Sequence, residues 1–510
     1  MYDTAIIGGG LAGVATALRL QARGLATIVF EAHGQPGGCA GFYRRRGFSF
    51  DVGATTLVDF GSDGVGGELL ESVGIPSIEG EVLPGYVAWL PDRTVRLFRE
   101  PAAWSRERLE AFGDTAGHRS LWRLLDRLAE VFWRASRRGI KLPIRGVADV
   151  VRAARAVGPA GWPLTRYLHW TVADALRANG LSDDRPLRGL LAMIIQDTVH
   201  GTVAEAPLIN AALGITIRGA GLTRARGGMR GFWKHLIARY RQLGGELRVG
   251  CPVDRVDGSR GAYRVVARRG VVEADQVVAA VPASLAARFG PGPVAEALAP
   301  YLRRDAGDLG GAAVVFLGVP DAEVSCQAFT HHQFLENHDR PLGDGNNMFI
   351  SVSAAGDRES APSGYRAVMI STHCELGAWE GLTPETYATR KRELGTRLVT
   401  LARRIYPELG RDAVVFEVAS PRTYERFTGR PRGAVGGVRQ TVTNSNQRAV
   451  PHDIGVPGYW LAGDGTWPGL GTVACCLGSR LVAEGVLAGA RRRPRIPRAL
   501  GASHAAISVR

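Results

Sequence analysis

Apolar residues run unbroken through Ala5-Ile6-Ile7 at the amino end, behind Thr4. A run that is apolar on both faces predicts a buried parallel strand. Gly8-Gly9-Gly10-Leu11-Ala12-Gly13 follows, and then an apolar helical pattern to about Arg23, where Gly24 stops it. Leu25–Phe30 predicts a second strand, closed by Glu31. The chain therefore opens on a strand–helix–strand unit. From about 86 to 200 the spacing of apolar positions becomes helical, and the segment carries Trp104, Trp122, Trp133, Trp162 and Trp170 among many arginines.

After about 222 strands and helices alternate again. Trp233–Leu243 reads as a helix, Gly245–Val249 and Val253–Val256 as short strands, and Ala274–Pro282 as a buried strand. Residues 310–375 alternate apolar and polar, which predicts an antiparallel sheet. A helix follows, capped by Thr383 with Pro384 at its first position, and runs to about Ile405. Residues 458–490 read as a strand, a glycine-rich turn and an apolar helix.

A chain of 510 residues exceeds one ordinary core. The expected fold class is α/β, with a Rossmann-like dinucleotide domain built from residues 1–85, 206–295 and 431–490. Residues 86–205, helical and membrane-facing, and 296–430, an antiparallel sheet with helices, make a discontinuous α+β substrate domain. The basic tail 491–510 is expected to be disordered.

The formal charge is +15. It comes almost entirely from arginine in an alanine- and glycine-rich chain, a composition that GC-rich coding also produces. The partner expected from it is an anionic membrane surface and no nucleic acid. Six scattered cysteines form no C-x-x-C pair, so no metal is expected, and Cys475-Cys476 read as small buried hydrophobes. Met1-Tyr2-Asp3 leads straight into a strand without a leader pattern, and no stretch approaches about 18 uninterrupted apolar residues. The expectation is a cytoplasmic protein, peripheral at the inner face of the membrane.

Chemistry concentrates at the two ends. In Gly8-x-Gly10-x-x-Gly13, the first glycine permits the tight turn, the second admits a pyrophosphate and the third allows helix and strand to pack closely. Glu31, at the end of the second strand, suits ribose hydroxyls. Gly37-Gly38 lies in a loop expected to return to the pyrophosphate. Far away, Tyr459–Leu461 runs into Ala462-Gly463-Asp464, where the aspartate suits ribityl hydroxyls, and Gly469-Leu470-Gly471-Thr472-Val473 starts a helix. That helix end would stabilise negative charge on a reduced flavin ring. An NAD enzyme has no use for this distant segment, so the expected cofactor is FAD.

With Gly8–Gly13, Glu31, PGGCAG (36–41), GFSFDVGAT (47–55), RGGMRGF (226–232), ADQVVAAVP (274–282) and LAGDGTWPGLGTVA (461–474), the chain resembles the phytoene-desaturase-like branch of the FAD-dependent amine oxidase superfamily. The resemblance implies a two-domain flavoprotein acting on a hydrophobic polyene, with Val253 holding the adenine through its backbone. The cofactor-binding set so expected is Gly8, Gly10, Leu11, Ala12, Gly13, Glu31, Ala32, Gly37, Gly38, Cys39, Ala54, Val253, Gly463, Asp464, Gly471, Thr472 and Val473. Residues 33–56 look similar to carotenoid isomerases and to C-3′,4′ desaturases, and 171–196 resemble the desaturases more. Arg230 and Cys475-Cys476-Leu477 depart from the family pattern.

The expected reaction introduces a C=C bond into an acyclic carotenoid by hydride transfer to flavin N5, with a quinone or dioxygen as final acceptor. Carotenoid isomerisation or saturation on the same scaffold, or a non-catalytic flavin-binding role, are the alternatives. Amine oxidation is disfavoured, because Gly471-Thr472-Val473 stands where amine oxidases carry an aromatic residue. In IIQDTVHGT, Asp197 and His200 are acid–base candidates, against the plainer reading of a satisfied buried aspartate and a surface histidine. His331-His332 reads as structural.

Overall fold

The amino-terminal apolar run forms the strand Tyr2–Ile7 at the middle of a seven-stranded sheet. The computed structural model describes residues 1–490, so the expected disorder of the basic tail lies outside the described residues. Tyr2–Ile7 pairs in parallel with Thr27–Phe30 on one side and with Gly270–Ala279 on the other. Glu246–Arg248 extends the parallel array beyond Thr27–Phe30. Gly270–Ala279 starts earlier than its apolar stretch predicts, because its first half pairs antiparallel with Tyr263–Ala267. Its last residues pair in parallel with Tyr459–Leu461, which brings the far end of the chain into the same sheet.

The helix Leu11–Ala22 packs on the carboxy-terminal helix Thr472–Gly489. That helix is long and apolar enough to cross a bilayer, although no uninterrupted apolar run marks it in the sequence. Its buried residues, Cys476 and Val482 among them, belong to the interior of this fold.

A second seven-stranded sheet runs in the order Val415–Ala419, Gly311–Pro320, Tyr365–Cys374, Asn347–Val352, His331–Leu335, Gly85–Trp89, Thr94–Phe98. It is antiparallel except where His331–Leu335 meets Gly85–Trp89. The expectation of helix from residue 86 onward is therefore corrected. Val95 and Leu97 are fully buried while Thr94 and Arg96 face solvent, a period of two that makes a strand.

Two boundaries also move. Leu208–Ile215, placed by sequence in the nucleotide-binding half, packs on Ala116–Arg137 and Arg185–Val199 in the helical body. Gly292–Arg304, split by the boundary at 296, buries Val294 and Leu298 in the core of the nucleotide-binding sheet. The membrane-facing reading of the tryptophans is corrected as well. Trp104 and Trp122 are core residues, Trp133 and Trp170 are half-buried, and only Trp162, at 55% exposure, faces out.

Candidate functional site: a cleft between the two sheets

The turn after Tyr2–Ile7 is shaped by two glycines. Gly8 has φ +108°, and a Cβ on it would meet the carbonyl oxygen of Ala280 at 2.4 Å. A Cβ on Gly13 would lie 2.1 Å from the carbonyl oxygen of Gly8, so helix and strand pack closely there. Gly10 differs: nothing lies within 4 Å of an added Cβ, because that side faces the cleft. The loop 33–41 docks on this turn through the Gly37 N–H, which donates to the Gly9 carbonyl at 2.9 Å. The first N–H groups of a helix have no intrahelical acceptor, and Leu11 and Ala12 line the cleft.

Glu31 accepts from the Gly9 N–H at 2.7 Å through one carboxylate oxygen and from the His33 N–H at 2.7 Å through the other. Burial raises its pKa, and these two N–H bonds oppose the rise. The carboxylate thus fixes the turn, and it still lines the cleft with lone pairs free for hydroxyl donors. Cys251, Pro252 and Val253 continue the wall beyond it.

At the other end, the Ala462 N–H donates to the Ala279 carbonyl at 3.0 Å, setting Gly463 and Asp464 beside the amino-terminal turn. Asp464 is paired with Arg430 at 2.6 Å, both side chains only 14% exposed. The helix Thr472–Gly489 begins after Gly471, and Thr472 Oγ1 accepts from the Val58 N–H at 3.2 Å. Added Cβ atoms on Gly463 and Gly471 would meet nothing within 4 Å.

One cavity of about 1640 Å³ joins the amino-terminal turn, Glu31 and the Gly463–Thr472 segment. Every residue of the expected cofactor-binding set lines it except Gly13, which lies beneath the turn. The fit to FAD rests on this structure's own features. A bare glycine wall and a helix N-terminus line the cleft where a diphosphate would be held, a carboxylate lines it as well, and a second helix N-terminus comes from the far end of the described chain.

Beyond the glycine wall a small polar group is set in apolar surroundings. Asp197 accepts from Gln333 Nε2 at 2.7 Å and lies 3.4 Å from His373 Nε2. His200 ends the helix Arg185–Val199 in a left-handed conformation, φ +56°, with its ring edge-on to His373 at 4.7 Å. It is half-buried in the cleft wall, which corrects the surface-histidine reading, and its Nδ1 has no partner among the described residues. Burial first, then His373, Arg439 and Arg430, hold its pKa well below the usual histidine value, so the ring is neutral. Arg430, His373 and Gln333 were missed from sequence. Gln333 meets Asp197 across 136 residues, and no local pattern announces such a meeting.

The remaining wall mixes an apolar part with charged residues such as Arg218, Arg288, Lys391, Glu417 and Arg422. Phe132, Trp133, Ile140, Leu142, Ile209 and Leu168 lead outward, and Leu168 is 39% exposed. On the nearby surface Val147, Val150, Val151 and Trp162 are exposed by 81, 50, 41 and 55%.

Residues 6–72 match the family of NAD(P)-binding Rossmann-like domains, and residues 177–487 match that of flavin-containing amine oxidoreductases. The chain is 24% identical to the chloroplastic prolycopene isomerase of Arabidopsis thaliana, over 97% of this chain and 84% of that protein. It is 24% identical to a lycopene-forming phytoene desaturase of a Paracoccus species, over 91% of this chain and 93% of that protein. Among solved structures, putrescine oxidase with bound putrescine superimposes with a TM-score of 0.63 at 17% identity, over 96% of this chain and 99% of that one.

Proposed function

Since the chain belongs to the flavin-containing amine oxidoreductase family and its cofactor is FAD, we propose that it is an oxidoreductase acting on a long apolar polyene. The reaction proposed is desaturation of an acyclic carotenoid, with the C-3′,4′ bond as the first candidate. The observation that carries this reading is the apolar part of the cleft lining, which includes Phe132, Ile140, Leu142, Ile209 and the 39% exposed Leu168. A small hydrophilic amine has no need of such a lining, whereas a polyene gains roughly 25 cal/mol for every Å² of apolar surface it buries there.

Gly8, Gly10, Leu11, Ala12, Glu31, Gly37, Gly463, Asp464 and Thr472 would hold the cofactor. Bound there, FAD supplies a two-electron acceptor, which a quinone or dioxygen discharges. The chain's own groups do the rest. The apolar lining aligns the substrate and excludes water. Asp197, held by Gln333 and 3.4 Å from His373 Nε2, is a carboxylate available to take the proton released from the neighbouring carbon. His200, held neutral, adds no charge that would repel a developing polyene cation.

A second reading is isomerisation. Prolycopene isomerase matches 97% of this chain against 91% for the desaturase, at the same 24% identity. Incubating the FAD-loaded protein with acyclic carotenoids and a quinone separates the two. A red-shifted product lighter by two hydrogens supports desaturation. A product of unchanged mass supports isomerisation and refutes desaturation, and no change with any polyene refutes both. We further propose that the protein collects its substrate at the cytoplasmic face of a membrane through the exposed valines and Trp162, flanked by exposed Arg145 and Arg155.

A further inference from the structure

Five arginines are buried among the described residues: Arg19, Arg108, Arg218, Arg224 and Arg366. Four of them meet a carboxylate, in the pairs Arg19–Glu68, Arg108–Asp126, Arg224–Asp51 and Arg366–Asp321, all within 2.9 Å. Arg218 is the exception. It is 3% exposed and has no carboxylate in ion-pair reach among the described residues. Its Nη2 donates to the Ile215 carbonyl at 2.8 Å, its Cζ lies 5.3 Å from the Trp104 ring centre, and its Nε has no partner among the described residues. Burial draws its pKa down to about 10, with only the Tyr86 hydroxyl acting the other way.

A buried cation without a counter-charge is costly, so natural folds pair it or reserve it for a ligand. Arg218 lines the cleft, together with Tyr86, Trp133, Leu213, Ile217 and Leu222. Its direct contacts, Trp104 and Ile215, belong to the helical body rather than to the glycine turn that faces the diphosphate position. The free charge therefore belongs to the substrate part of the cleft. A planar guanidinium with open N–H groups matches a carboxylate, which accepts two parallel N–H bonds.

We propose that Arg218 binds a carboxylate at one end of the substrate, so that this cleft takes a polyene acid in preference to a pure hydrocarbon. The proposal rests on the polyene reading above and narrows it. Tyr86 stands beside the same position with its hydroxyl pushed up to about 12 by burial, so it stays a neutral donor and does not compete for the cation. The apolar lining takes the hydrocarbon part and Arg218 fixes which end enters.

The test is a binding titration of the FAD-loaded protein with a polyene acid, its methyl ester and the hydrocarbon of matched length, followed by the flavin absorption spectrum. The acid is expected to bind on the order of 10–100-fold more tightly than the ester. Arg218→Met is expected to remove that preference while leaving the ester's affinity unchanged, and Arg218→Lys to restore part of it. Equal affinity for acid and ester in the unaltered protein overturns the proposal without needing a variant, as does a preference that survives in Arg218→Met. Failure of all three ligands to bind overturns the polyene reading itself, a result distinguishable from the other two.

Discussion

Gly10 and Gly13 stand three residues apart in one turn and answer to different constraints. Gly13 is small because the Gly8 carbonyl would sit 2.1 Å from its Cβ, and Gly10 is small because the cleft needs the space. Gly10 has φ −74°, which any residue adopts. Gly10→Ala is therefore expected to leave the stability of the FAD-free protein within about 0.5 kcal/mol and to weaken FAD binding at least about tenfold. Gly13→Ala is expected to cost roughly 1–3 kcal/mol with or without FAD, by crowding the strand beneath. Urea unfolding of the FAD-free variants together with flavin fluorescence titration checks both, and equal destabilisation by the two changes would contradict the assignment. Glu31 shows how far a single residue can be read. Its place at the end of the second strand is visible in the sequence, but its bonds to the Gly9 and His33 N–H groups depend on how the loop 33–41 returns.

The helix Val147–Val157 shows what element-scale reading misses. The segment was expected to face a membrane because it is rich in arginine and tryptophan, yet Trp104 and Trp122 turned out to be core. The exposed apolar face comes instead from Val147, Val150 and Val151, at helical spacing, with Trp162 from the following turn. Leu168, at the mouth of the cleft, follows directly. Replacing Val150 and Val151 with glutamate is expected to abolish co-sedimentation with anionic vesicles. Because both side chains are already exposed, Tm should stay within the change of about 0.5 kcal/mol usual for surface sites. Undiminished sedimentation would remove this face as the docking surface.

At the scale of the whole molecule, buried neutral histidines tie stability to pH. His332 accepts from Trp89 Nε1–H at its Nδ1 and faces the Phe329 carbonyl and the Tyr406 hydroxyl with Nε2, an arrangement that needs the neutral ring. Burial lowers its pKa to about 4, with the Phe329 carbonyl opposing. The unfolded chain takes up a proton at His332 near pH 6.5 and the folded chain does not. The contribution of His332 is thus complete above about pH 6.5 and declines as pH falls toward 4, by at most about 1.4 kcal/mol per pH unit. Glu31 and Asp51, raised by burial, act in the opposite sense, so the comparison must isolate one group. Stability measured by urea unfolding between pH 7 and 4.5 is expected to fall less steeply in His332→Gln than in the unaltered protein. Parallel slopes would show that His332 does not titrate in this way.

The sequence by itself determined the strand–turn–helix with Glu31 and the Gly463-Asp464 approach to the last helix, because each is a demand on the local backbone that only certain residues meet. The glycine-rich segments at both ends also pointed to one shared nucleotide site, while the pairing of Gly270–Ala279 with Tyr459–Leu461 came from the fold. Only the tertiary structure decided that Arg430 pairs with Asp464, that Gln333 and His373 adjoin Asp197, and that Arg218 has no carboxylate partner among the described residues. Charge pairing depends on distance through the folded interior. Positions 136 residues apart can be neighbours there, and the chain carries no periodic mark of it.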